Sequence, residues 1–329
     1  MSPARIEHGI SLYGFNQRYV EDPGYGVEDC LAEVQRLEVR RFEIVGAVFF
    51  DHYPRPERAE IDRVRTAAER YGASPFSYGG YADVGRITGH MPTDEDYILD
   101  LTADLMTARE LGCAYLRAGA IPVHLMPLAA MLADQYDVSV GIEVHAPSRP
   151  SDPDIQAMLA EFQRIDSPRL GFVPDFGCFI ERPAAPALER YVREGAQPKL
   201  LEHIIARRHS GLSEAELAAE VVSLGGGPAE RMAIADFFGY LSFGPADIDG
   251  FVTLLKRTHY FHSKFYHVTA DLADPTIPME RLLGAIVQSG FEGVLMSEYE
   301  GHAFHNDDAY EQHERHLQLE RRILSGGAR

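Results

Sequence analysis

Short runs of β-prone apolar residues alternate with longer stretches whose apolar residues recur at helical spacing. The alternation predicts strands at 8–15 (HGISLYGF), 41–50 (RFEIVGAVFF), 74–81 (SPFSYGGY), 114–120 (AYLRAGA), 139–147 (SVGIEVHAP), 170–177 (LGFVPDFG), 258–268 (THYFHSKFYHV) and 293–301 (GVLMSEYEG). Helices are expected between them. In GVEDCLAEVQRLEV, Leu31, Val34 and Leu37 share one stripe. The stretch from Thr93 to Gly112 opens on a Thr cap and acidic residues and closes on glycine. The rhythm breaks between Phe179 and about Ile248, where the sequence is polar and helical without a clear strand. So long a connection exceeds an ordinary αβ loop and reads as an inserted helical subdomain or lid at 179–248. Eight β/α units in 329 residues predict one α/β domain, a (β/α)₈ TIM barrel over 1–329 with that insertion between strands six and seven. A doubly wound sheet would be expected to carry a glycine-rich phosphate turn, and neither a GxGxxG motif nor a P-loop occurs.

In such a barrel the chemistry sits where the strands end at their carboxyl face. Residues two apart on a strand point the same way. Strand five therefore presents Glu143 and His145 together, and strand six ends at Asp175. Strand seven carries His262, Lys264 and Tyr266 on one face, with Phe261, Ser263 and Phe265 on the other; His259 and His267 share the second parity. Strand eight carries Val294, Met296, Glu298 and Glu300 on one face. One acid at a strand end is ordinary, but four successive strands each place an acid or a histidine at the same rim. Clustered carboxylates repel one another, and a divalent cation relieves the repulsion. Three carboxylates and one imidazole suit Mn²⁺, Mg²⁺ or Fe²⁺ better than a closed structural zinc site. Glu143, Asp175, His262 and Glu298 are the expected ligands, with Glu300 as the alternative to Glu298. His145 is placed to act as a general base, and Lys264 to touch substrate.

Charge narrows the partners. Lysine and arginine number 31 against 50 acidic residues, a formal charge of −19. That surface repels nucleic acid and anionic membranes alike. With neither a signal-like leader nor a long apolar run, a cytoplasmic location is expected. Cys30, Cys113 and Cys178 are odd in number and lack metal-like spacing, so reduced, buried thiols are expected.

The motifs GIEVHAP, VPDFG, YFHSKF and GVLMSEYEG resemble the xylose-isomerase-like superfamily of sugar isomerases and epimerases, over nearly the whole chain outside the insertion. The resemblance implies a Glu/Asp/His/Glu site for Mn²⁺, Co²⁺ or Mg²⁺, carried here by Glu143, Asp175, His262 and Glu298. Its 3-epimerases use two glutamates as acid and base, one of them on an early strand, where this chain offers only Glu43. The IEVHAP motif with His145, the long insertion and the SEYEGHAF ending are similar to the catalytic α subunit of bacterial C-glycoside deglycosidases. That likeness implies cleavage of the sugar–aglycone bond of 3-oxo-glucosides, C-linked or O-linked, in a hetero-oligomer with a small β subunit. Metal-dependent sugar (phosphate) isomerase or 3-epimerase activity through an enediolate is the alternative. Of the other classes, a nuclease on the same barrel is disfavoured by the charge, and an inert sugar- or metal-binding scaffold by the intact acid–histidine set.

Overall fold

The computed structural model describes residues 6–80, 89, 91–119, 121–304 and 308–326. Eight parallel strands lie in the order β6-β5-β4-β3-β2-β1-β8-β7: β1 (Ile6–Ser11), β2 (Arg41–Val45), β3 (Ser74–Gly80), β4 (Tyr115–Ala118), β5 (Ser139–Val144), β6 (Leu170–Pro174), β7 (Phe261–Phe265) and β8 (Gly293–Tyr299). β6 and β7 meet through two isolated bridges, Phe172–Thr258 and Asp175–His262, which bring the sheet to a nearly closed barrel. Helices cover the outside, as parallel strands joined by crossovers require. Tyr81 and Ala120, which end two expected strands, and Asp307, which opens the last expected helix, lie outside the described residues.

Several strands are shorter than the apolar runs that contain them. β1 stops at Ser11, and Leu12–Phe15 form a 3₁₀ turn; β2 stops at Val45, and Gly46–Phe49 form one helical turn. β6 stops at Pro174, and Asp175 opens the 3₁₀ turn Phe176–Phe179 by accepting from the Gly177 N–H. Leu12, Phe15, Phe49, Phe176 and Phe179 stay buried after the chain has left the sheet. Apolarity alone therefore overstates strand length.

Between β6 and β7 run the helices Ala185–Arg193, Pro198–Arg207, Glu214–Ser223, Pro228–Phe238 and Ile248–Leu254. Proline near the first position starts three of them, and a Ser213–Glu216 capping box starts a fourth. Their buried side chains, among them Tyr191, Ile204, Val221 and Phe237, belong to the core cluster that packs between strands and helices. A smaller cluster, Val173, Tyr260, Val294 and Met296 with Phe76 and Tyr115, fills the inside of the barrel.

The last helix, Ala309–Leu324, lays His313, His316 and Glu320 against the outer faces of β7 and β8. Ser263 donates to Glu320, and Ser297 meets both imidazoles at 3.0 and 2.9 Å. The His316 ring stacks on Phe265 with centroids 3.9 Å apart. Burial pulls His313 down to about 3 and His316 down to about 4. The unfolded chain therefore takes up these protons more readily, starting from about pH 6.5. The stability these neutral rings contribute is complete above about pH 6.5 and drains as the pH falls toward 4 and then 3. Thermal unfolding is expected to show a falling Tm across that window, with a shallower fall in a His316→Gln protein. An unchanged slope in the variant would contradict this.

Candidate metal centre

Inward positions at the carboxyl end of the strands are polar. Glu143 is the penultimate residue of β5, Asp175 follows β6, His262 and Lys264 lie on β7, and Glu298 lies on β8 beside Lys264. One ligand atom from each of Glu143, Asp175, His262 and Glu298 lies within 4.8 Å of the other three. His262 Nδ1 is 3.1 Å from Glu143 Oε1, 3.1 Å from Glu298 Oε2 and 3.9 Å from Asp175 Oδ2. Its other nitrogen, Nε2, faces Glu43 Oε1 at 3.0 Å. A bond from Nε2–H to Glu43 leaves the Nδ1 lone pair for the shared centre.

Glu43 belongs to this constellation, though not as a free acid. It is fully buried below the ligand group and accepts from Ser11 at 3.3 Å, Ser77 at 2.8 Å and Tyr260 at 2.8 Å. Arg117, on β4, adds bonds of 3.2 and 3.1 Å to Glu43 and one of 2.7 Å to Glu143. Burial opposes ionisation of both glutamates, yet Arg117 and His262 hold them below the usual carboxylate range. Sequence reasoning left Glu43 as an open candidate and missed Arg117. The available signal was an arginine at an inward position of a four-residue strand, YLRA.

Lys264 sits at the mouth side, almost wholly buried. Its Nζ is 2.9 Å from Asp175 Oδ2, 3.4 Å from Glu298 Oε2 and 3.3 Å from Glu300 Oε2. Burial works against the ammonium, but these carboxylates raise its pKa well above the ordinary lysine value. It also lies 2.9 Å from His145 Nε2, while His145 Nδ1 lies 2.7 Å from the Ala146 carbonyl. With an ammonium on one side and a carbonyl on the other, His145 carries its proton on Nδ1 and its lone pair on Nε2. Glu300 thus pairs with Lys264 and is absent from the four-residue ligand group, which contains Glu298.

The donor set fits a divalent cation. Asp175 Oδ1 is fixed by the Gly177 N–H at 2.6 Å, where a Cβ would press to 2.8 Å from the same oxygen. Asp175 Oδ2 is buried and has no aligned donor among the described residues; its contact with Lys264 is an ion pair without hydrogen-bond geometry. Burial raises the Asp175 pKa, with Lys264 opposing. Among the described residues Glu43, Glu143, Asp175, Glu298 and Glu300 face Arg117 and Lys264 and the imidazole of His262, whose pKa these carboxylates raise well above the ordinary value against burial; five acids against three cations still leave the centre with excess negative charge.

The other histidines divide. Ser263 and Phe265 point to the last helix, and His267 approaches Gln312 on it. His259, expected to face the helices or a loop, instead lies against Tyr115 and over Gly171, where a Cβ would come within 2.8 Å of its Nε2. The strand begins only at Phe261, so the parity rule does not extend back to it. Cys30, Cys113 and Cys178 are free and buried, and Cys178 bonds the Val144 carbonyl. Among the described residues no helix is long and apolar enough to cross a membrane.

No family model matches the chain. It is 26% identical over 331 residues to the 3'-dehydrocarminate deglycosidase alpha subunit of a Microbacterium species, covering 96% of this chain and 94% of that protein. It is 27% identical over 310 residues to the C-glycoside deglycosidase alpha subunit of Microbacterium trichothecenolyticum, covering 89% of this chain and 83% of that protein. Among solved structures, a D-psicose 3-epimerase determined with D-fructose superposes with a TM-score of 0.58 at 11% identity, covering 98% of this chain and 100% of the other. The IOLI protein with a bound zinc atom gives 0.57 at 10% identity, covering 98% and 99%. A xylose isomerase domain protein from Planctomyces limnophilus gives 0.54 at 14% identity, covering 99% and 100%. The chain is thus similar along most of its length to C-glycoside deglycosidase alpha subunits, on the TIM-barrel fold of the xylose isomerase-like sugar isomerases and epimerases.

Proposed function

We propose that the protein is a metal-dependent lyase that cleaves the sugar–aglycone bond of 3-oxo-glucosides by removing the C2 proton and eliminating the aglycone from C1. The observation that carries this reading is the His145–Lys264 pair standing directly over the Glu143, Asp175, His262 and Glu298 group. Those four side chains would hold the cation, and Mn²⁺ is the ion we favour for so oxygen-rich a set. When bound, the cation supplies Lewis acidity to the C3 ketone and so acidifies the C2–H.

The chain's own residues move the proton. The lone pair of His145 Nε2 takes the C2 proton, and its Nδ1–H stays bonded to the Ala146 carbonyl. The electron pair left at C2 forms the C1–C2 double bond, and the C1–aglycone pair departs with the aglycone. The His145 imidazolium then stands beside the Lys264 ammonium, and their repulsion favours passing the proton on to the leaving aglycone atom. Asp175, Glu298 and Glu300 keep Lys264 charged, ready to donate to a sugar oxygen once substrate displaces it from His145. The products are an unsaturated keto sugar and the free aglycone, with the base regenerated.

The enediolate alternative, a sugar isomerase or 3-epimerase, shares the first step and returns the proton to carbon. It requires a second acid–base group. Glu43, the early-strand carboxylate, is bonded on every side beneath the centre and does not reach the mouth. The relatives' designation as alpha subunits supports a smaller partner chain for this protein as well.

The test is incubation of chelator-stripped and Mn²⁺-reloaded protein with a 3-oxo-C-glucoside and, separately, with a ketohexose. Aglycone release that needs the metal is expected from the first. Epimerisation of the second without aglycone release would replace this reading with the alternative. Glu143→Ala, Asp175→Ala and Glu298→Ala proteins should each lose bound metal by elemental analysis; full retention in all three would remove the proposed centre.

A further inference from the structure

Many arginines of this acidic chain pair with a carboxylate, as in Arg36–Glu33, Arg117–Glu43, Arg169–Asp137, Arg207–Glu220 and Arg257–Asp166. Arg149 and Arg208 do not, and they lie together with His209. Arg149 lies four residues beyond His145, on the loop after β5. Arg208 and His209 follow the helix Pro198–Arg207 of the segment between β6 and β7, Arg208 as its C-cap. Among the described residues, none of the three has a carboxylate within ion-pair distance, although the sequence holds 50 acidic residues.

The three converge on the loop around Gly244. A Cβ on Gly244 would lie 2.9 Å from Arg149 Nη2 and 3.0 Å from His209 Cε1, so the glycine lets the guanidinium and the imidazole close on one point. Arg149 donates to the Pro245 carbonyl at 3.4 Å; Arg208 donates to the Phe237 carbonyl at 2.8 Å and to Ser242 Oγ at 3.4 Å, and lies over the Phe238 ring at 3.8 Å. All of these partners are neutral, so they brace the side chains without discharging them. The cost of the crowding is visible: burial and then Arg149 lower the Arg208 pKa, and burial, Arg208 and Arg149 lower that of His209. Asp152 accepts from the Arg149 backbone N–H and Asp247 from the Ser151 and Gly250 N–H groups; Arg149 also helps to lower the Asp247 pKa, so that carboxylate offsets part of the cluster's charge from beyond ion-pair distance.

The cluster flanks the metal centre. Gly244 N–H donates to the Ile180 carbonyl at 2.8 Å, next to the turn that Asp175 opens. Arg149 is close enough to Cys178 to act on its thiol, and that thiol bonds the carbonyl of Val144, the neighbour of Glu143. Arg149 and Arg208 are half-buried and His209 is exposed, so their outer faces remain in contact with solvent.

We propose that Arg149, Arg208 and His209 form an anion subsite at the edge of the barrel mouth, taking a carboxylate carried by the aglycone. An arginine pair presents a planar fork matched to a carboxylate, and the anion relieves repulsion already present in the fold. Because Arg149 stands on the loop that follows His145, we assign the anion to the aglycone side rather than over the sugar. Its assignment to the aglycone rests on the proposed lyase reading; the anion site itself does not.

Calorimetric titration of the metal-loaded protein with 4-hydroxybenzoate, 4-hydroxybenzamide and inorganic phosphate tests it without turnover. 4-Hydroxybenzoate should bind at least about tenfold tighter than the uncharged amide, and added salt should narrow the gap. Arg149→Gln and Arg208→Gln should each lose about tenfold for the carboxylate while leaving the amide unchanged. His209→Gln, at an exposed position that does not endanger folding, should weaken carboxylate binding in the same direction. Equal affinity for carboxylate and amide, or carboxylate binding that survives all three substitutions and so belongs to the metal centre, would overturn the subsite. Phosphate binding more tightly than the carboxylate would overturn the aglycone carboxylate in favour of a phosphorylated substrate. Because the titration needs no catalysis, inactivity on 3-oxo-glucosides would remove the lyase reading and leave the subsite standing.

Discussion

A His145→Gln protein is expected to keep its metal and lose about 10²- to 10⁴-fold in kcat on a 3-oxo-C-glucoside. The size follows from removing the proton acceptor while sparing the ligand set. His145 contacts Lys264 and its own chain but none of the four proposed ligands directly. Glutamine keeps the bulk and a polar tip, but an amide does not take a proton from carbon. Two measurements decide the matter together: metal content by elemental analysis and exchange of the C2 proton with solvent. Retained metal with lost exchange is the expected pair. Retained metal with wild-type exchange would move the base to another residue.

Arg117→Met should destabilise the fold by about 3–5 kcal/mol, read from urea unfolding. Arg117 is almost fully buried and bridges Glu43 and Glu143, whose other cationic neighbour is the imidazole of His262 at 3.0 and 3.1 Å. Methionine fills much of the space but leaves two buried carboxylates facing each other. Their folded-state pKa values would then rise above those of the unfolded chain. A raised carboxylate is relieved by protonation, so the deficit should shrink as the pH falls toward the carboxylate range. A loss smaller than about 1 kcal/mol at neutral pH would mean that the bridge is weaker than its geometry implies.

Much of this arrangement could be read along the chain. Alternation gave the count of eight strands, and the parity of β7 separated His262 and Lys264 from Ser263 and Phe265, which face the last helix. The convergence of Glu143, Asp175, His262 and Glu298 at one end of the barrel was legible for the same reason, because a period of two is the one rule that carries a side chain to a known face. Strand lengths were not. Apolar residues such as Leu12, Phe15 and Phe49 remain buried in the turns that follow β1 and β2, so hydrophobicity continues where pairing has ended. Nor were partners across the barrel. Arg117 looks like one charge in an ordinary strand until β2 and β5 are closed around it. The Lys264–His145 bond joins residues 119 positions apart, and the Arg149–His209 approach is fixed by Gly244 in a third segment. Local pattern determines direction, whereas distance between segments depends on the closed barrel.

The closure of that barrel has a mechanical side. β6 and β7 are joined by two isolated bridges where the other neighbours share ladders of three or more residue pairs, and the long helical segment departs and returns at that same joint. The helices of that segment pack into the core, but along the seam itself the two bridges are the strand pairing among the described residues. One of the two bridges pairs Asp175 with His262, and both residues also belong to the candidate ligand group. A cation seated there would fasten the two lips of the seam like a rivet, tying the integrity of the cylinder to the occupancy of its working end.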